Sequence, residues 1–364
     1  MKLLYYSPVS WPYLQSRCSS FPHSNELFDP RRGIEMYQDS LDLFRTAESV
    51  GFEWLGIGEE HMNAYGVVPN PCLLAAALAP ITEHAKLCIM GNPLPLLNPL
   101  RVAEEYAMID ILSGGRLVAG FPRGVPQNYA AYGADLENSR ERLAEAIDFV
   151  LAAWTRRGPF DWTGAWYQFR NVSIWPQPSQ VPDMVLSSKS PESVSLAVRH
   201  KAVMGEVYVK SNQVLEHFAA NTKSYRSQAA ENGWEPQPDR FLLSVPCVIA
   251  ADSQCAMHRA RSAASYAGEY IAGSFEDRKR ELRDSYYQNV EHLLQNQPES
   301  LEDRIRYGGV VCGEPAAVID QIQALIGFTG VGILGLQMQW GNLPPEQVRE
   351  SLELFGRYVR PHIA

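Results

Sequence analysis

Short apolar runs of strand character alternate with longer segments of helical periodicity along almost the whole chain. That pattern dictates parallel βαβ units and argues against a sandwich or a bundle. About eight runs are legible, at 3–6, 54–58, 86–90, 116–121, 184–187, 203–208, 241–250 and 330–338. Between and after them the spacing predicts helices over 33–50, 71–83, 99–112, 137–154, 191–200, 213–232 and 345–359. In the first of these, Ile34, Tyr37, Leu41, Phe44 and Ala47 share one predicted face. An aromatic hairpin and proline-rich segment (155–182) interrupt the pattern after the fourth run, and a polar helical excursion (252–308) does so after the seventh. Eight strand–helix repeats in 364 residues fit one (β/α)8 TIM barrel over 1–364, an α/β fold with insertions after strands 4 and 7.

Charge and composition remove several alternatives. With 32 Lys and Arg against 41 Asp and Glu, the net charge of −9 suits neither nucleic acid nor an anionic membrane surface. The chain is 46% hydrophobic and 20% charged, enough to bury a large core. Its six cysteines (Cys18, Cys72, Cys88, Cys247, Cys255, Cys312) form no C-x-x-C pair and read as structural thiols. No run approaches the roughly 18 apolar residues of a membrane span, so a soluble, cytoplasmic protein is expected. Gly330-Val331-Gly332-Ile333-Leu334-Gly335 has the spacing G-x-G-x-x-G. It enters a strand, however, where a dinucleotide site needs it to leave one and open a helix. Walker, G-x-S-x-G and H-E-x-x-H motifs are absent from the sequence.

In a barrel the working groups follow the C-terminal ends of the strands. After the second run come Glu59, Glu60 and His61; two carboxylates and an imidazole need partners in a core, so they read either as a polar brace for the loops or as catalytic and cofactor contacts. A metal site is disfavoured there because no second group of ligand spacing accompanies them. The third run ends in Met90-Gly91 and a proline-stiffened loop to Pro99, suited to lining a flat apolar ligand. Arg123 follows the fourth run, where a guanidinium can meet a phosphate, a carboxylate or a ring carbonyl. The fifth ends in Ser187-Ser188-Lys189-Ser190-Pro191-Glu192-Ser193: hydroxyls at a helix start that serve either as an ordinary N-cap or as an anion site.

Together these stretches resemble the bacterial luciferase-like family of flavin-dependent monooxygenases. The resemblance is carried by Glu59-Glu60-His61, Val68-Pro69-Asn70-Pro71, Gly91-Asn92-Pro93-Leu94-Pro95-Leu96, Asp110 to Arg116, Phe121-Pro122-Arg123-Gly124, Asn138-Ser139-Arg140 and Ser190-Pro191-Glu192-Ser193. It is weakest over 9–32 and 252–308, which it marks as substrate loops, with Trp11, Tyr13, Phe21 and His23 in the first.

The resemblance implies FMN, taken reduced from a partner flavin reductase, and O2, reacting as a C4a-peroxyflavin on a small apolar or natural-product substrate. It places the flavin phosphate with Arg123, Arg140, Ser188, Ser190 and Ser193. It makes Glu59, Met90 and Gly91 cofactor contacts, with Met90-Gly91 the site of a cis peptide beneath the ring. His61 and Glu60 become the catalytic pair. Luciferases proper carry Glu-His-His where this chain has Glu59-Glu60-His61, which separates it from light emission. The family also implies a homodimer through the helices that contain Leu73 to Ala79 and Val102 to Ile111. Two other readings stay open at this point: a deazaflavin-dependent hydride-transfer enzyme, and a flavin-binding relative without catalysis.

Overall fold

Parallel strands close on themselves around a buried interior. The computed structural model describes residues 1–15, 22–187, 189–207, 212–268 and 300–363. Its strands are β1 (Lys2–Ser7), β2 (Trp54–Ile57), β3 (Lys86–Ile89), β4 (Leu117–Gly120), the antiparallel hairpin β5 (Phe160–Thr163) and β6 (Gln168–Val172), β7 (Asp183–Ser187), β8 (Val203–Glu206), β9 (Phe241–Ile249), β10 (Val311–Gly313) and β11 (Ile333–Gln337). Hydrogen bonding runs β11-β1-β2-β3-β4-β7-β8-β9 and returns from β9 to β11, the closed eight-stranded parallel barrel expected from the repeats. Short β10 adds to the far end of β9 through Val311↔Cys247 and Gly313↔Ile249.

The helices around it are α1 (Pro30–Ser49), α2 (Pro71–Leu78), α3 (Pro99–Leu112), α4 (Pro126–Tyr132), α5 (Ser139–Thr155), α6 (Pro191–Arg199), α7 (Asn212–Glu231), α8 (Ser253–Tyr266), α9 (Leu301–Tyr307), α10 (Pro315–Thr329) and α11 (Pro345–Leu354). Several start in the same way. Asp29, Asn70, Asn98 and Ser190 cap the free N–H groups, and Pro follows at the first position, where its missing N–H costs nothing. The buried stripe of α1 is Met36, Ser40, Leu43, Phe44 and Ala47; Ile34 and Tyr37 of the expected face are exposed. The 3.6-residue period fits both stripes, and the strand pair beneath selects between them. Three elements escaped the sequence reading: α4, β10 and α10.

Inside the barrel Leu4, Trp54, Cys88, Val118, Val185, Val203, Leu242 and Ile333 meet in one cluster. Side chains alternate along a strand, so the next inward positions are Tyr6, Gly56, Met90, Gly120, Ser187, Gly205, Ser244 and Gly335. Small residues therefore dominate the layer nearest the C-terminal mouth. The opposite end is closed by charge. Lys2 and Lys86 flank the Trp54 ring, while Lys2 meets Asp239 at 2.8 Å and Asp183 meets Lys86 at 2.8 Å and Arg240 at 3.6 Å.

Candidate active site

The strand ends of β2 and β3 build the centre of the mouth. Glu59 and His61 follow β2, and both side chains are only 7% exposed. Glu59 Oε1 lies 2.8 Å from His61 Nε2, and Glu59 Oε2 accepts the backbone N–H of Asn92 at 2.5 Å. The β3 loop comes this close because Gly91 lacks a side chain: a Cβ there would fall inside the Cβ and backbone of Glu59. Asn92 then turns the chain at φ +78°, in the left-handed region that asparagine tolerates better than most residues.

The cis peptide expected beneath the ring is not found at this position. Among the described residues the cis bond is Trp175–Pro176, and Met90–Gly91 is trans.

Glu60 points elsewhere than His61. Its backbone N–H bonds Val68 O, and its carboxylate accepts from Asn63 Nδ2 at 3.2 Å. Burial and the Glu60 charge together push the Tyr6 phenol well above its ordinary range. The carboxylate that bonds the His61 ring is thus Glu59, while Glu60 bonds Asn63 of the same loop.

Arg140 reaches the start of α6, and the charge of Arg123 is felt there. Arg140 Nη1 stands 3.7 Å from Glu192 Oε2. The carboxyl of Glu192 is held below its usual range by its own backbone N–H and the Ser190 hydroxyl, helped by the charges of Arg140 and then Arg123. Beneath it Ser190 and Ser193 form a capping box: Ser193 N–H donates to Ser190 Oγ at 3.3 Å and Ser190 N–H to Ser193 Oγ at 3.0 Å. The Arg140 guanidinium and two hydroxyls therefore meet at the N-terminus of α6, and Lys189 stands beside it, 3.7 Å from buried Glu206. Ser188 lies outside the described residues.

The two expected substrate loops meet. Tyr266, the last residue of α8, donates its hydroxyl to Trp11 O at 2.6 Å and accepts from Leu14 N–H at 3.1 Å. Trp11 is buried against Tyr13 and Phe28, at centroid distances of 5.0 and 4.7 Å, and His23 Nδ1 accepts Ala64 N–H at 3.0 Å. Trp11 thus anchors its loop instead of facing a pocket. Phe21 and residues 269–299 lie outside the described part. The proline loop after β3 likewise turns its Leu94 and Pro95 into the core beside α5.

Sequence reasoning missed Tyr132 at the end of α4, whose hydroxyl lies 3.4 Å from His61 Nδ1. Pro126 at the helix start and Gly133 in the left-handed cap are the signals that mark this short helix. Tyr129 on the same helix donates to Arg123 O at 2.5 Å, which ties α4 to the arginine corner.

Residues 15–331 match the family model described as luciferase-like monooxygenase. The chain belongs to this family. The oxygenase component of the flavin-dependent trigonelline monooxygenase of Acinetobacter baylyi is 30% identical over 189 residues, 50% of this chain and 52% of the relative. This chain thus spans about half the length of that relative. The 4-hydroxyprotoasukamycin monooxygenase of Streptomyces nodosus is 25% identical over 90% of this chain and 87% of its own. The oxygenating constituent of the 3,6-diketocamphane monooxygenase of Pseudomonas putida, a type II Baeyer-Villiger enzyme solved with FMN, superposes over 100% of this chain and 98% of its own with a TM-score of 0.76 at 21% identity. The barrel predicted from the alternation is this family's fold, and the protein is an enzyme of the luciferase-like monooxygenase class.

Proposed function

We infer that this protein is the oxygenase half of a two-component system, taking FMN reduced by a separate flavin reductase and using O2 on a small apolar or natural-product substrate. The observation that carries this reading is Arg140 at the serine-capped start of α6, where the Arg123 charge also acts, on the same barrel end as the Glu59–His61 pair.

The residues suit a flavin mononucleotide. Arg123, Arg140, Ser190 and Ser193, with Ser188, would hold the phosphate, where the helix dipole favours an anion. Met90 and Gly91 would line the ring, above a barrel layer of mostly small residues. Bound reduced flavin supplies the electrons that activate O2. The chain contributes orientation, exclusion of water by the joined segments around Trp11 and Tyr266, and a proton held at His61. Leu73 of α2 and Met108, Ile111 and Leu112 of α3 are exposed and apolar, a face through which two copies would pair.

Anaerobic titration with photoreduced FMN and with reduced deazaflavin tests the reading, followed by O2 admission with a panel of small terpenoid and aromatic carbonyl compounds. Tighter FMN binding and substrate-dependent O2 uptake support it. Tighter deazaflavin binding, or flavin retention without turnover across the panel, overturns it.

A further inference from the structure

We propose that Glu59, His61 and Tyr132 form a proton relay whose outer member, the Tyr132 phenol, is the group presented to the ligand. This deepens the monooxygenase reading and rests on it for where the relay points.

The hydrogen-bond network fixes the roles. Glu59 accepts the Asn92 N–H through one oxygen and faces His61 Nε2 at 2.8 Å through the other, so Nε2 carries the ring hydrogen. The lone pair of Nδ1 is thereby directed at Tyr132, whose hydroxyl lies 3.4 Å away, its ring at 76° to the imidazole. The phenol is the donor in that contact. Burial and the Glu59 charge raise its pKa, which keeps the proton on oxygen. The distance is long for a hydrogen bond, as such contacts are before a ligand closes the site.

Exposure orders the three. His61 is enclosed at 7% while Tyr132 is 52% exposed, so a molecule entering the mouth reaches the phenol first. The arrangement repeats the hydroxyl–imidazole–carboxylate logic of a catalytic triad, with a phenol in the hydroxyl's place. When a ligand X–H bond is broken, its proton joins the Tyr132 oxygen as the Tyr132 proton joins His61 Nδ1. The ligand keeps the electron pair, and the imidazolium is held against Glu59. The reverse transfer returns the proton. Tyr132 occupies the last turn of α4, held in place by the Gly133 cap and by Tyr129 bonding to Arg123 O.

The test is 15N NMR of histidine-labelled protein without flavin, with His61→Asn identifying the signal among eight histidines. The wild-type ring should be protonated at Nε2, with Nδ1 displaced from the free lone-pair position. In Tyr132→Phe the Nδ1 signal should move to the free position while Nε2 stays. A wild-type ring protonated at Nδ1, or an Nδ1 signal indifferent to Tyr132→Phe, overturns the relay; should that variant fail to fold, the wild-type tautomer alone decides. Photoreduced FMN titrated into the same samples keeps the two readings apart. Failure of the wild type to bind it defeats the flavin reading and leaves the NMR result standing.

Discussion

Gly91 lies against Glu59 so closely that no side chain fits between them, and the N–H of the next residue bonds the Glu59 carboxylate. The two strand ends that make the mouth are therefore fitted to each other through one missing Cβ. Gly91→Ala forces the β3 loop outward. Overpacking of this kind costs about 1–3 kcal/mol, and a denaturant midpoint should fall accordingly. Because the shift also releases Glu59, His61 loses its partner, and turnover should fall further than stability explains.

Arg116 is a second organiser, remote from the mouth. Its guanidinium donates to Ser113 O, Thr82 Oγ1, Thr82 O, Ala79 O and Ala85 O, which gathers the end of α2 and the approach to β3 around one cation. Arg116→Met leaves several of these carbonyls without donors at once. The expected loss is about 3 kcal/mol in chemical denaturation, with flavin affinity per folded molecule unchanged.

Asp183 connects the barrel floor to pH. Burial raises its pKa, but the Lys86 bond and the charges of Lys86, Arg240 and Lys2 outweigh that and leave it below the ordinary carboxylate value. A depressed folded-state pKa stabilises above the unfolded value, near 3.9, and that contribution disappears as pH falls through the folded one. Asp183→Asn should cost about 1 kcal/mol at neutral pH, a figure kept small because the pair is more than a third exposed. Stability curves of the two proteins should converge below about pH 4. Curves that stay parallel into acid would show that Asp183 contributes packing alone.

How far the sequence carries is visible in such particulars. The eight strands were legible because each is a short apolar run set off by turns, and α3 was legible to the residue because Asn98, Pro99 and the Gly114-Gly115 stop bracket it. Short β10 offers three residues and no periodicity. Helix α10 is apolar on most sides, so its stripe does not stand out. At the site, Glu59 and His61 were found by their chemistry, but which of two adjacent carboxylates meets the ring is a matter of backbone direction after β2. Tyr132 lies 71 residues from His61 in sequence, and only barrel closure brings them together.

Glu192 occupies the corner assigned to phosphate, 3.7 Å from Arg140 and under the influence of Arg123. An incoming phosphate competes with it for the same cations. Glu192→Gln should tighten binding of FMN about two- to threefold, the size of an exposed ion pair, while leaving riboflavin, which lacks the phosphate, unaffected. Isothermal titration with both ligands measures the difference. An equal change for the two would place the phosphate elsewhere.

The apolar face of α2 and α3 sets the last expectation. Leu73 is 71% exposed and Met108, Ile111 and Leu112 are each at least 50% exposed, although neighbouring Val102, Ala103, Tyr106 and Ala107 are buried. Met108, Ile111 and Leu112 are spaced three and four apart and so share one helix face. Large aliphatic side chains left in water at this density forgo about 25 cal/mol for each Å² that a partner could cover. Pairing of two such faces requires no charge complementarity, which suits a chain of net charge −9 whose copies otherwise repel. Ile111→Glu places a carboxylate in the middle of the stripe without touching the core. In sedimentation velocity the wild type should run as a dimer and Ile111→Glu as a monomer with an unchanged circular dichroism spectrum. A wild type that sediments as a monomer at every concentration would mean that the stripe serves something other than self-association.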